Sequence, residues 1–370
     1  MAQLDGLRAV AVMAVFVEHW VSPARHYGVP WGALGVQLFF VLSGFLITGI
    51  LLDCRDLVDA APESRSRVIR RFYARRALRI FPAFYAVVAL TYLAGVPEVR
   101  TSLGWHVSYL SNFYFFLRGS WQGTVSHFWS LAVEEQFYLV WPCFMLFLPR
   151  AALFPALLLT MLTAPLVRVG ILSSPAQVSY EMLPVASLDT LGIGALVALL
   201  ARDPGRAPIP VEKAASVCLL VGLPGYVLLR ALYSMGIFPE AIVLEQSFLA
   251  MCYAWVVLGA SKGFAGPAGK ALEFTGLRAL GRISYGLYLW HNFVPVALIG
   301  LVTSFGLGPE ITRGIPRIGL LFAMTVCVSA LSWFVVERPL NRLKRYFPYH
   351  DDDEHDRTRP APGAPLCQRP

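Results

Sequence analysis

The chain has 370 residues, 56% hydrophobic and 15% charged, with a formal net charge of +8. Ordinary soluble domains are about 25% charged and about 45–50% apolar, so this composition points to lipid. It excludes a soluble enzyme, a disordered chain and a nucleic-acid-binding protein. The cations sit between apolar runs, where an integral membrane protein uses them for orientation.

A bilayer core of ~30 Å needs roughly 20 apolar helical residues. In chain order the runs that read as spans are Leu7–Val21, Trp31–Leu52, Ile80–Val96, Phe128–Leu148, Ala151–Leu172, Met182–Ala201, Ala214–Leu232, Ala241–Ser261, Ile283–Phe305 and Gly314–Val336. A further stretch, Trp105–Leu117, is short and dotted with Ser, Asn and His.

Charge parity decides whether that stretch crosses. The loop between the second and third runs carries Arg55, Arg65, Arg67, Arg70, Arg71, Arg75, Arg76 and Arg79, and so belongs in the cytoplasm. The basic loops after the sixth and eighth runs, and the basic end at Arg338–Arg345, belong on the same side. All can be inside only if Trp105–Leu117 does not cross. The expected fold is therefore an all-α polytopic bundle of about ten transmembrane helices with both termini cytoplasmic. Residues 1–346 form the membrane domain. Residues 347–370, polar and Pro-rich, are expected to be a disordered cytoplasmic tail.

The six cysteines include no CxxC pair, and most lie in apolar runs, where a thiol behaves as a small hydrophobe. Neither a disulfide framework nor a metal site is expected.

An ionisable group inside a span costs at least ~2.5–3.5 kcal/mol at mid-helix, which makes each one a functional candidate. Arg8, Glu18 and His19 lie in the first run, Glu134 and Glu135 in the fourth, and Arg168, Asp189, Glu245 and His291 in later ones. Arg168, Asp189 and Glu245 read equally well as structural pairs. Arg8 and His19 are eleven positions apart, three helical turns plus about 20°, so they share a face ~16 Å apart along the axis. Imidazole titrates near neutrality and is the commonest general base. Glu18 points about 100° away from His19.

Three further segments carry chemistry. In RRFYARRALRIFP, Arg76 and Arg79 project on one side of a helix and can grip an anion together. The 3′-phosphate and pyrophosphate of cytoplasmic coenzyme A suit such a mouth. In HFWSLAVEEQFYLVWP, Glu134 and Glu135 cannot both face lipid, so at least one should face an internal cavity. In ISYGLYLWHNF, Ser284, Tyr288 and His291 share a face. They are candidate substrate-binding residues.

These segments together resemble the acyltransferase-3 family of bacterial membrane O-acyltransferases. LDGLRAVAVMAVFVEHW resembles its first helix, with the Arg-x10-His pattern at Arg8 and His19, and VQLFFVLSGFLIT its second. FYARRALRIFPAFY carries an RxxR pattern at Arg76 and Arg79, and FWSLAVEEQFYLVWP and SYGLYLWH complete the order. The resemblance runs from Leu4 to about Arg345. It implies transfer of an acyl group, commonly acetyl, from acetyl-CoA or another acyl-CoA to a hydroxyl of a carbohydrate-containing acceptor. It also implies a multi-pass protein of the bacterial cytoplasmic (inner) membrane, with no metal. Some members carry a fused extracytoplasmic esterase-like domain, whereas only a short tail is expected here after the tenth run.

The expected division of labour follows. His19 is the base, with Glu134 or Glu135 orienting the acceptor or steadying the imidazolium. Arg8, Arg75, Arg76 and Arg79 hold the donor. The rival from another class is a transporter or flippase of a lipid-linked sugar, which moves substrate without consuming acyl-CoA.

Overall fold

The computed structural model describes residues 2–21, 28–60, 64–172, 180–203, 209–306, 308 and 313–349. The acidic stretch after Tyr349, the bulk of the expected tail, lies outside the described residues, as does Cys367. Helix makes up 87% of the structure and no strand occurs among the described residues, which makes the fold all-α.

Ten helical segments coincide with the apolar runs. They are α1 (Ala2–Trp20), α2 (Trp31–Ala60), α3 (Arg65–Leu93), α4 (Phe128–Phe147), α5 (Arg150–Leu172), α6 (Leu188–Arg202), α7 (Val211–Ser234), α8 (Glu245–Lys262), a broken α9 (Ser284–Trp290 and Phe293–Ser304) and α10 (Gly314–Ser332). Among the described residues, seven helices are long and apolar enough to cross a membrane, or eight with the two halves of α9 taken as one span. This defines a multi-pass membrane protein. α1 and α4 are not among the seven. The charges Asp5, Arg8 and Glu18 interrupt α1, and Glu134, Glu135 and Gln136 interrupt α4. Trp105–Leu117 falls on two helices, Leu103–Val107 and Ser111–Arg118. At 1.5 Å per residue the longer of them spans ~12 Å, too little to cross.

The core is built around α2 and α6, each 72% buried along its apolar stretch, against 17–22% for α5, α7 and α10, which leave most of theirs uncovered by the described residues. Burial of α2 against α6 depends on glycine. A Cβ on Gly44 would lie 2.0 Å from the Leu191 carbonyl oxygen, and one on Gly194 would lie 2.1 Å from that of Val41. Without a hydrophobic drive between helices in lipid, such backbone approach supplies the packing energy.

A buried polar clasp joins α5, α6 and α8. Arg168 on α5 is fully buried and pairs bidentately with Asp189 at 2.6 and 3.1 Å. It also donates to the Ala186 carbonyl, Gln246 and Ser247. Glu245 pairs with Arg230 at 3.5 Å. Arg168, Asp189 and Glu245 are therefore held in structural pairs.

Helix α9 breaks by 54° at His291–Asn292. Broken helices are tolerated at membrane depth where protein or a cavity satisfies the freed backbone. Here the Trp20 indole donates to the His291 carbonyl at 3.1 Å.

Candidate active site

Two of the cavities among the described residues carry the candidate side chains. The first is lined by Arg8, Arg76, Arg79, Glu134, Glu135 and Tyr138, with Ser284 and Tyr288 from α9. The second is lined by His19 and Glu18, with Trp121, His127, Glu181 and Tyr288. Val36 and Tyr288 line both.

The cavities follow one another along the bundle axis, because each helix contributes to them in order. On α2, Gly32 and Ala33 face the second, Val36 both, and Phe39 to Ile47 the first. On α4, Trp129 faces the second, and Ser130, Glu134 and Tyr138 the first. On α1, His19 faces the second and Arg8 the first. The shared face of Arg8 and His19 thus spans the pair, with a cation at one end and an imidazole at the other.

In the first cavity, Arg76 and Arg79 make no ion pair within 4 Å among the described residues. Arg76 instead lies over the Phe72 and Tyr138 rings, at 5.6 and 5.7 Å. Arg8 reaches Asp5 at 3.3 Å. The three guanidinium groups repel one another. Such a cluster favours a shared anion, which guanidinium forks bind well. On the α4 side, Tyr138 donates to Ser43 at 2.9 Å and Ser43 donates to Glu134. Ser130 and Tyr288 share a hydrogen bond of 2.6 Å where the cavities meet.

Arg75 stands apart. Its guanidinium donates to the Lys344 and Phe347 carbonyls at 3.2 and 3.0 Å and covers the Tyr349 ring at 4.6 Å. It ties α3 to the C-terminal segment and does not line the cavity. His291 also lines neither cavity. It is fully buried, gives its Nδ1 hydrogen to the Tyr288 carbonyl at 2.6 Å, and leaves Nε2 without a partner among the described residues. Its ring packs at 4.9 Å from His19 and 4.8 Å from His127. His127 uses both nitrogens, Nε2 on the Leu289 carbonyl and Nδ1 on Asn292. The three imidazoles are a packed group, and no set of ligands able to hold a metal occurs among the described residues.

Several lining residues escape sequence reasoning. Ser130 and Tyr138 lie four positions either side of Glu134, a helical stripe visible in the sequence once Glu134 is suspected. Tyr109, held at φ 53° between Phe81, Phe84 and Tyr85, leaves no such trace. Glu337 is another. A π-helical turn, Trp333–Glu337, buries it within electrostatic reach of Arg79. Such turns frequently mark functional sites. Between the spans, burial and then the neighbouring Glu245 carboxylate hold the Glu181 carboxyl above its usual range.

The bundle thus sets an arginine-lined cavity beside a histidine-lined one, with Val36 and Tyr288 common to both. The comparisons with known proteins make the class definite. The acyltransferase domain family matches residues 1–334, and the chain belongs to that family. The chain is 28% identical to the peptidoglycan O-acetyltransferase OatA of Listeria monocytogenes, over 92% of its own length and 55% of the relative's. It is 27% identical to the O-acetyltransferase OatA of Staphylococcus aureus, over 92% of its own length and 57% of the relative's. The chain thus spans about half the length of these relatives. No solved structure matches it.

Proposed function

We propose that the chain is a membrane O-acyltransferase that moves an acetyl group from acetyl-CoA to a hydroxyl of a cell-wall or cell-surface carbohydrate. The observation that carries this reading is the axial succession of cavities. An arginine-lined chamber, in which Arg76 and Arg79 make no ion pair among the described residues, shares Val36 and Tyr288 with a chamber walled by His19. The family match and the O-acetyltransferases among its relatives support the reaction class.

In this reading the phosphates of the donor rest on Arg76, Arg79 and Arg8, and the pantetheine arm runs toward the junction. His19 takes the proton of the acceptor hydroxyl as its oxygen bonds to the thioester carbonyl carbon. The C–S bond then breaks, and the leaving thiolate takes the proton from the imidazolium. General-base help of this kind contributes about 10²–10⁴ in rate. Glu134, held by Ser43, faces Arg8 and Arg76 and steadies the arginine cluster. Glu135 and the Ser130–Tyr288 pair position the reacting ester. The arginine end faces the cytoplasm of a bacterial inner membrane, where coenzyme A is found, and residues 1–346 are the transferring unit.

The test uses the full chain in nanodiscs with acetyl-CoA radiolabelled in the acetyl group. CoA release by the wild type, lost in His19→Ala with donor binding retained, is the expected result. A wild type that neither binds acetyl-CoA nor releases CoA overturns the reading and leaves a transporter as the better account.

A further inference from the structure

We infer that a small polar cavity between α2, α8 and the segment entering α6 binds a sodium ion on the oxygens of Gln37, Glu181 and Ser187. This goes beyond the acyltransferase reading and does not depend on it. The cavity has a volume of about 20 Å³, room for one water-sized species. Its polar walls are Gln37, Glu181, Ser187 and Gln246, with Phe40 and Trp129 among the apolar ones.

Separate elements bring these walls together. Ala33, Val36, Gln37 and Phe40 form one stripe of α2, at the spacing of a single helix face. Glu181 sits on the short helix Tyr180–Met182. Ser187 ends the short helix Pro184–Ser187, which leads into α6. Gln246 lies in the first turn of α8, and its oxygen takes a hydrogen bond from Arg168 at 3.1 Å. Glu181 also lines the histidine cavity, so the site stands behind one wall of that chamber.

Two observations ask for a ligand there. Gln37 is 7% exposed, and its Oε1 has no hydrogen-bond partner among the described residues. A buried carbonyl oxygen left so has lost its water and gained nothing in return. Glu181 makes no ion pair within 4 Å among the described residues, and burial, then the Glu245 carboxylate, hold its carboxyl above its usual range. The neighbouring guanidinium groups are already balanced, Arg168 by Asp189 and Arg230 by Glu245. A water satisfies the oxygen of Gln37 but leaves the charge of Glu181 uncompensated. A singly charged cation answers both, because carboxylate, amide and hydroxyl oxygens suit hard ions. Calcium takes about six to eight oxygens, more than one carboxylate and its neighbours offer. No His or Cys lines the cavity for a transition metal. Room for a single water suits sodium better than the larger potassium ion. Bound there, the ion ties α2 to α8 and to the connection between α5 and α6.

The experiment uses the full chain in detergent, with sodium, potassium or choline chloride at equal ionic strength. A ligand that binds only the folded state raises the melting temperature by mass action, so the wild type should melt about 3–5 °C higher in sodium than in choline. Potassium should give less than half that shift. Radioactive sodium should bind saturably, at about one ion per chain. Glu181→Gln and Gln37→Leu should each weaken that binding at least about tenfold, because each removes one ligand oxygen. Equal melting in all three salts without saturable sodium binding means that the cavity holds water only, and overturns the site whether or not either variant folds. Equal shifts in sodium and potassium overturn the assignment to sodium. Wild-type affinity retained in Glu181→Gln places the ion elsewhere and overturns the site as well.

Discussion

His19 and His291 lie 272 positions apart in the chain, and their rings pack with centroids 4.9 Å apart. One opens into a cavity and the other is wholly buried behind it. His291 has its Nδ1 hydrogen committed to the Tyr288 carbonyl, so its Nε2 carries a lone pair, with no partner among the described residues. The two imidazoles therefore have different work. His19 should lose about 10²–10⁴ in turnover on change to Ala. His291→Phe keeps the ring packing and should cost about tenfold or less, because it removes only the support behind His19. CoA release under saturating acetyl-CoA measures both. Equal losses would place the two imidazoles in one catalytic unit.

Adjacent arginines on α3 should also behave differently. Arg76→Ala and Arg79→Ala each remove a charged donor from the first cavity and should weaken acetyl-CoA binding by about 1.5–3 kcal/mol, read by titration of a fluorescent CoA analogue. Arg75→Ala frees the carbonyls of Lys344 and Phe347 and should lower thermal stability with donor affinity within about twofold of wild type. Loss of donor binding in Arg75→Ala would contradict the placement of its side chain.

The Arg168–Asp189 clasp predicts a stability phenotype. Asp189→Ala leaves a buried guanidinium unpaired and should cost about 3–5 kcal/mol. Its melting temperature in detergent should fall well below that of wild type. The double variant Arg168→Leu/Asp189→Leu removes both charges and should recover much of the loss, because no uncompensated ion remains. An equally unstable double variant would show that the hydrogen bonds to Ala186, Gln246 and Ser247 carry the clasp instead.

The close approach of α2 and α6 gives the fourth test. Gly44→Val and Gly194→Val each drive side-chain carbon into a facing carbonyl. In a packed interior such overpacking costs about 1–3 kcal/mol or more. Gly300→Ala, with nothing within 4 Å of its added Cβ, is the control and should melt like wild type. A stable Gly44→Val would mean that the two helices can slide apart without loss.

Much of this protein is legible in its sequence because bilayer physics is local. The apolar runs became the helical segments, since a helix is how a single segment satisfies its own backbone hydrogen bonds in lipid. Arg8 and His19 were placed on one face by helical period alone, and that face does run from one cavity to the other. The sequence asks that at least one of Glu134 and Glu135 face an internal cavity, and both line one. The family pattern singled out Arg76 and Arg79 from a run of many arginines.

What only the tertiary structure decided is direction. Period gives the angle between two side chains on a helix, yet not where that helix is turned in the bundle. Arg75 and Arg79 are a helical turn apart, as Arg76 and Arg79 nearly are, and only the packing of α3 sends Arg75 to the C-terminal segment and the other two to the cavity. His291 shares a helical stripe with Tyr288, but the break in α9 turns it behind His19 rather than into either cavity. Arg168, Asp189 and Glu245 looked like candidates one at a time, because a sequence shows each charge without its partner. Their pairing and the shared lining of two cavities at Val36 and Tyr288 join residues far apart in the chain. No local pattern encodes such contacts.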